Sequence, residues 1–142
     1  MADYPTKEYI LDAQVGFILR QVSQRHATIF AETINDNLTP TQFATLAKLL
    51  ELGAYSQNHL GRLTAMDAAT IKGVVDRLIK RKLVFTSRDP SDARRLIVDL
   101  TDVGRGVAME AVRNAAAITK KSLEPLDAQE QATLLKLLKK MC

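Results

Sequence analysis

Apolar residues recur along this chain at spacings of three and four rather than at alternate positions, which predicts a mostly helical protein. A first helix is expected from Lys7 to Asn35, with Leu11, Val15, Ile18, Val22 and Ile29 on one stripe that Ile10 and Phe17 widen. Thr6, following Pro5, is its candidate N-cap, and the polar run Asn35-Asp36-Asn37 is its stop. Thr39-Pro40-Thr41-Gln42 combines an N-cap, a proline in the first turn and a capping-box glutamine, opening a helix through Leu52 that ends at Gly53. Ser56 is placed to cap a shorter helix through Leu63, and Asp67 another from Ala68 to Arg81. In the latter, Ile71, Val75 and Leu78 share a buried face and leave Thr70, Lys72, Gly73, Asp76, Arg77 and Lys80 elsewhere.

The pattern then changes. Leu83 to Thr86 reads as a short strand, Ser87 to Arg95 as a polar turn around Asp89-Pro90, and Leu96 to Leu100 as the return strand. Thr101 with Asp102 caps a further helix to about Ser122, Pro125 breaks it, and a last helix from Asp127 to Met141 carries the stripe Leu134, Leu135, Leu138 and Met141. Broad apolar faces near both ends of so small a chain need a partner, and a second subunit is a natural one.

Composition narrows the function. The 142 residues suit one compact domain or two intimately shared subdomains, with 46% hydrophobic and 25% charged residues, enough to bury a core. No apolar stretch approaches a membrane span, and the opening MADYPTKEY lacks a signal-peptide hydrophobic region, so a soluble cytoplasmic protein is expected. The single cysteine, Cys142, excludes an intrachain disulfide and a cysteine metal cluster. As a frayed terminal thiol it is a weak candidate for redox sensing.

Charge is unevenly placed. Of the net +4, the window Ile71–Arg95 holds eight basic and three acidic residues, net +5, leaving the remainder at −1. A helix, a turn, a second helix and a basic hairpin make a physical solution to reading duplex DNA. A helix fits the major groove, and a slim guanidinium enters the negative potential of a narrow minor groove.

The ordered residues Asp76-Arg77-Leu78, Leu83-Val84, Asp89-Pro90, Asp92-Ala93-Arg94-Arg95 and Val98-Asp99-Leu100-Thr101, followed by Gly104, resemble the winged helix-turn-helix signature of MarR-type transcriptional regulators. The resemblance extends over the whole chain. It implies a mainly α fold with a small β-hairpin wing: a winged helix-turn-helix DNA-binding domain over residues 37–101, and a helical dimerisation region over 1–36 and 102–142. It implies further a homodimer on a pseudopalindromic operator, usually a repressor. Ala68 to Arg81 would be the recognition helix, with Thr70, Lys72, Gly73 and Arg77 facing DNA. Lys80, Lys82, Arg88 and Arg95 would add basic contacts, Arg94 would be the minor-groove arginine, and Asp92 would organise the wing by pairing with an arginine. Lys82 stands where the family commonly has glycine, which raises the cost of a left-handed helix cap and suggests a reshaped helix end. Lys72 and Gly73 replace the usual hydroxyl and larger polar residues.

Members of that family often release DNA when a small aromatic or phenolic acid enters a pocket between the dimerisation and DNA-binding regions, so the resemblance implies such an effector. Arg20, Arg25 and His26 on the first helix, and Asn58 and His59 on the short third one, are its candidate polar contacts. No cofactor is implied. Enzyme readings have little to stand on: Gly104-Arg105-Gly106 lacks the third glycine of a nucleotide loop, and a metal site would have only His26, His59 and a carboxylate to draw on. A peroxide-sensing subtype is disfavoured by the position of the cysteine. The competing readings are an architectural DNA-binding protein without effector and a helical module docking an acidic protein.

Overall fold

The computed structural model describes residues 8–142. They form α1 (Val15–Thr33), α2 (Pro40–Leu52), β1 (Tyr55–Ser56), α3 (Gln57–Leu63), α4 (Ala68–Lys80), β2 (Val84–Asp89), β3 (Asp92–Leu100), α5 (Asp102–Leu123) and α6 (Ala128–Lys140). The chain divides into two compact units, Thr33–Ala117 on one hand and Ile118–Cys142 with the described residues up to Glu32 on the other.

In the first unit the core is a set of side chains from every element. Leu46 and Leu49 of α2, Leu60 of α3, Ile71, Val75 and Leu78 of α4 and Val98 of β3 are fully buried, and Ala108 and Ala111 of α5 pack into the same cluster. The caps read from the sequence at Thr39 and Asp67 are in place. Thr39 accepts from the Gln42 amide at 3.2 Å while the Gln42 side chain accepts from the Thr39 amide at 3.2 Å. The Asp67 carboxylate accepts from the Thr70 amide at 2.7 Å. Asp36 and Asn37 both take left-handed φ, 57° and 50°, which ends helical geometry between α1 and α2.

The sheet is antiparallel, in the order β1-β3-β2. Three details differ from the sequence expectations. The hairpin strands are longer than Leu83–Thr86 and Leu96–Leu100, because pairing continues through Ser87↔Ile97 and Arg88↔Leu96 and leaves only Pro90-Ser91 as the turn. Tyr55 and Ser56 pair with Val98 and Ile97, adding a third strand. Ser56 precedes α3, but its hydroxyl forms no capping hydrogen bond there, its backbone being held in the sheet.

Gly104 is required by packing. A Cβ there would lie 1.8 Å from the Leu83 carbonyl oxygen, where α5 begins against the start of the hairpin. The same junction is tied by Thr101, which donates to the Lys82 carbonyl at 2.8 Å and caps α5 by accepting from the Gly104 amide at 2.9 Å.

In the second unit, α1 starts at Val15 rather than Lys7. A single 3-10 turn, Leu11–Ala13, precedes it and ends at an extended Gln14 with ψ 138°. Apolar spacing reports a shared face, and a tight turn preserves that spacing without continuous helical hydrogen bonding. α1 also ends at Thr33, short of Asn35. The Thr6 cap and Lys7 lie outside the described residues. α6 carries its own capping box, Asp127 with Glu130. Ile29, Phe30 and Ile118 are buried, whereas Val15 and Val22 of α1 are 61% and 55% exposed and Leu135 of α6 is 47% exposed. A single chain thus leaves much of the apolar stripes foreseen on these helices uncovered.

Candidate nucleic-acid interface

The site grows from α4. Asp67 starts the helix and hydrogen bonds from the Thr70 hydroxyl and amide hold its carboxyl below the ordinary aspartate range. Ile71, Val74, Val75 and Leu78 turn inward, which leaves Thr70, Lys72, Asp76, Arg77 and Lys80 exposed on the other side. Gly73 is partly exposed, and a Cβ there would lie 3.4 Å from Arg77 Nη1, so the missing side chain gives the guanidinium room to lie along the helix. Lys72 pairs with Asp76 at 2.8 Å, one turn on. That pair is readable from the spacing of four, yet it changes what Lys72 offers: its ammonium is shared with a carboxylate on the same face.

Lys82 keeps the conformation that glycine favours. Its φ is 60°, its amide donates to the Ile79 carbonyl at 2.9 Å, and the Leu83 amide donates to the Leu78 carbonyl at 3.0 Å. These two bonds close a Schellman cap with lysine at the left-handed position. The expectation that lysine would reshape this helix end is therefore corrected: the geometry is retained and the side chain bears its strain. Among the described residues the Lys82 ammonium has no ion-pair partner. Arg81, one residue earlier, is a structural arginine that sequence reasoning counted only as charge. It donates to Gln42 Oε1 at 3.2 Å and, through a short hydrogen bond, to the Asp36 carbonyl, fixing the end of α4 to the start of α2.

The wing is braced by its own polar groups. Asp89 accepts from the Ser91 amide and hydroxyl at 2.8 and 2.7 Å, and those bonds, the hydroxyl first, with the nearby Arg95 charge, hold its carboxyl below the ordinary range. Arg88 donates across the hairpin to the Ala93 carbonyl at 2.7 Å. Asp92 accepts from the Arg94 amide at 3.1 Å and from its Nε at 3.4 Å, and the Arg94 side chain remains 93% exposed. Arg95 lies 3.9 Å from Asp89.

The five residues foreseen for an effector fall in both units. Arg20 is exposed on α1. Arg25 donates to the Ser122 and Lys121 carbonyls at 2.8 and 3.0 Å, capping the end of α5, and His26 Nδ1 lies 2.8 Å from Ser122 Oγ. Their side chains edge a mainly apolar cavity of about 670 Å³ formed with Val22, Leu123, Leu134 and Leu138. Asn58 and His59 lie instead on α3, beside the wing, with the His59 ring edge-on to Tyr55 at 4.9 Å. His26 and His59 thus belong to different units, and no group of three potential metal ligands gathers among the described residues.

Residues 38–96, which carry the helix-turn-helix and most of the wing, match the model of the MarR family. The HTH-type transcriptional repressor NicR of Pseudomonas putida is 42% identical over 134 residues, spanning 94% of this chain and 85% of the repressor. The chain belongs to the MarR family. Among solved MarR-like structures, that of a probable transcriptional regulator from Pseudomonas aeruginosa superposes with a TM-score of 0.91 at 53% identity, covering 94% of this chain and all of that one. The structure of Bordetella bronchiseptica BpsR, described by the regulation of its DNA binding by 6-hydroxynicotinic acid, gives 0.89 at 41% identity over 94% of this chain and 96% of that one. As a MarR protein the chain is a DNA-binding transcriptional regulator, and the helices α3 and α4 with the β2–β3 wing are its winged helix-turn-helix.

Proposed function

We propose that this MarR protein is a homodimeric repressor that holds a pseudopalindromic operator and leaves it when a small heteroaromatic acid binds. One observation carries the DNA reading: a single unit presents an outward polar and basic helix face beside a hairpin whose arginine is almost fully solvent-exposed. In this reading Thr70, Lys72, Gly73 and Arg77 meet base edges and Lys80, Lys82, Arg88 and Arg95 meet phosphates. Arg94 enters the minor groove, presented by Asp92. Residues 37–101 act as the DNA-binding part and the flanking helices as the dimerisation part, their uncovered apolar stripes serving a second copy. The protein acts in the cytoplasm and catalyses no reaction.

The acid is proposed as a hydroxylated pyridine carboxylic acid, because BpsR and NicR are each about two-fifths identical along nearly the whole chain and the former is regulated by 6-hydroxynicotinic acid. Of its candidate polar contacts, the Arg25 guanidinium already donates to the Lys121 and Ser122 carbonyls.

The test is fluorescence anisotropy of labelled upstream DNA at fixed salt, with scrambled duplex as competitor and 6-hydroxynicotinate or benzoates as ligands. Specific binding released by the pyridine acid is expected, and Arg94→Ala is expected to weaken binding with helicity unchanged. Equal affinity for operator and scrambled duplex would instead make the protein an architectural DNA binder.

A further inference from the structure

Beside the recognition helix lies a polar cleft of about 340 Å³ between α3 and the wing, whose lining includes Gln57, His59, Arg62, Asp92, Arg94 and Arg95. Its charge is unbalanced. Three guanidinium groups line it, and the two from the wing have carboxylate partners, Arg94 in Asp92 at 3.4 Å and Arg95 in Asp89 at 3.9 Å. Arg62, in the last turn of α3, forms no side-chain hydrogen bond or ion pair among the described residues, and its side chain is exposed. The uncompensated charge of Arg62 on an open polar cleft that two further guanidinium groups line is a site for an oxyanion.

The fold says which oxyanion. α3 packs on both α4 and β3, so it lies between the helix assigned to the major groove and the hairpin assigned to the adjacent minor groove. Adjacent grooves are separated by one sugar-phosphate strand. That strand, passing from one reader to the other, runs by the cleft.

We propose that Arg62, with Arg95, clamps one backbone phosphate in each operator half-site, so that α3 sets the register in which α4 meets the bases. The clamp rests on the DNA-binding reading above and adds a residue which that reading does not use. It carries no sequence information of its own. Arg94 shares its charge with Asp92, and Arg62 is the guanidinium of the cleft that has no carboxylate partner among the described residues.

The experiment compares the full-length protein with Arg62→Ala, Arg62→Lys and, as a control on α5, Arg113→Ala, on labelled operator and scrambled duplex from 50 to 200 mM salt. Circular dichroism checks that each folds. Loss of one phosphate contact per subunit lowers the slope of log affinity against log salt by about 1.8 for a dimer, so the deficit of Arg62→Ala shrinks ~12-fold across that range. The deficit is expected to be equal on both duplexes, Arg62→Lys to restore the slope, and Arg113→Ala to keep it. An unchanged slope overturns the clamp while leaving the regulator reading intact, as does a loss confined to the operator, which would make Arg62 a base reader. A normal slope with a lost response to 6-hydroxynicotinate would overturn it in favour of an effector carboxylate in the cleft. Wild-type protein that binds neither duplex at 50 mM would overturn the clamp and the regulator reading together.

Discussion

Replacing Lys82 by glycine should make the protein more stable and a poorer DNA binder. Lys82 sits at φ 60° in the Schellman cap of α4. A side chain in that region costs roughly 1–2 kcal/mol. Glycine removes this strain but brings a more flexible unfolded chain, which takes back about 0.4–1 kcal/mol. The net gain is about 0.5–1 kcal/mol. For a chain of 142 residues that raises Tm by ~2–5 °C. In the proposed interface affinity moves the other way, since a charge that has no ion-pair partner among the described residues is lost from the end of α4 in each subunit. Lys82→Ala separates the two effects: it keeps the strain and loses the charge, so its Tm should stay near wild type while its DNA affinity falls as in Lys82→Gly. Differential scanning calorimetry and anisotropy titrations read both quantities. A Tm for Lys82→Gly at or below that of wild type would refute the strain argument. Affinity unchanged in both variants would remove Lys82 from the interface.

Gly104→Ala is expected to lower stability by about 3 kcal/mol or to abolish soluble expression, because its Cβ would meet the Leu83 carbonyl backbone rather than a movable side chain; urea denaturation reads this. Arg81→Ala should cost about 1 kcal/mol in the same assay, through loss of its hydrogen bonds to Gln42 and Asp36 at a largely exposed position. The carboxyls of Asp67 and Asp89 are held below their ordinary values, so their contribution is present above the unfolded-state pKa and is lost as pH falls through the lower folded values. Tm is therefore expected to be flat above about pH 5 and to drop below about pH 4. Asp67→Asn, which keeps a capping oxygen but no titrating group, should make that drop shallower.

The parts of the fold legible in the sequence are those whose cause is local. Thr39 with Gln42 and Asp67 with Thr70 declare their helices because a cap and its amide are three residues apart. β1 was illegible for the opposite reason: Tyr55 and Ser56 become a strand only by pairing with Val98 and Ile97, some forty residues along the chain. The outer half of the hairpin resembled a turn since neither face of Ser87–Arg88 is buried, so no alternation marks it. Arg81 shows the same limit at the site. Its charge fitted the basic window, but only the approach of Asp36 and Gln42 reveals that the guanidinium is already engaged. Arg25 is a second case, its carbonyl partners lying more than ninety residues away.

What the sequence places at the two ends of the chain and the structure leaves uncovered bears on how a ligand could act. Val15, Ile18 and Val22 of α1, with Leu135 and Leu137 of α6, are each more than two-fifths exposed in a single chain. Apolar side chains of that size gain roughly 1.5–3 kcal/mol each on full burial, so their cover by a second copy, as proposed above, would be a large term in the protein's stability. The winged units of such a dimer meet half-sites about one helical turn, ~34 Å, apart, and that spacing is fixed by how the two copies join. An effector then has no need to touch the recognition helix. Binding preferentially to a dimer arrangement with the wrong spacing, by about 1.4 kcal/mol, reduces operator affinity tenfold. The local phosphate clamp at Arg62 would be spared, so nonspecific DNA binding should survive a ligand that abolishes operator binding.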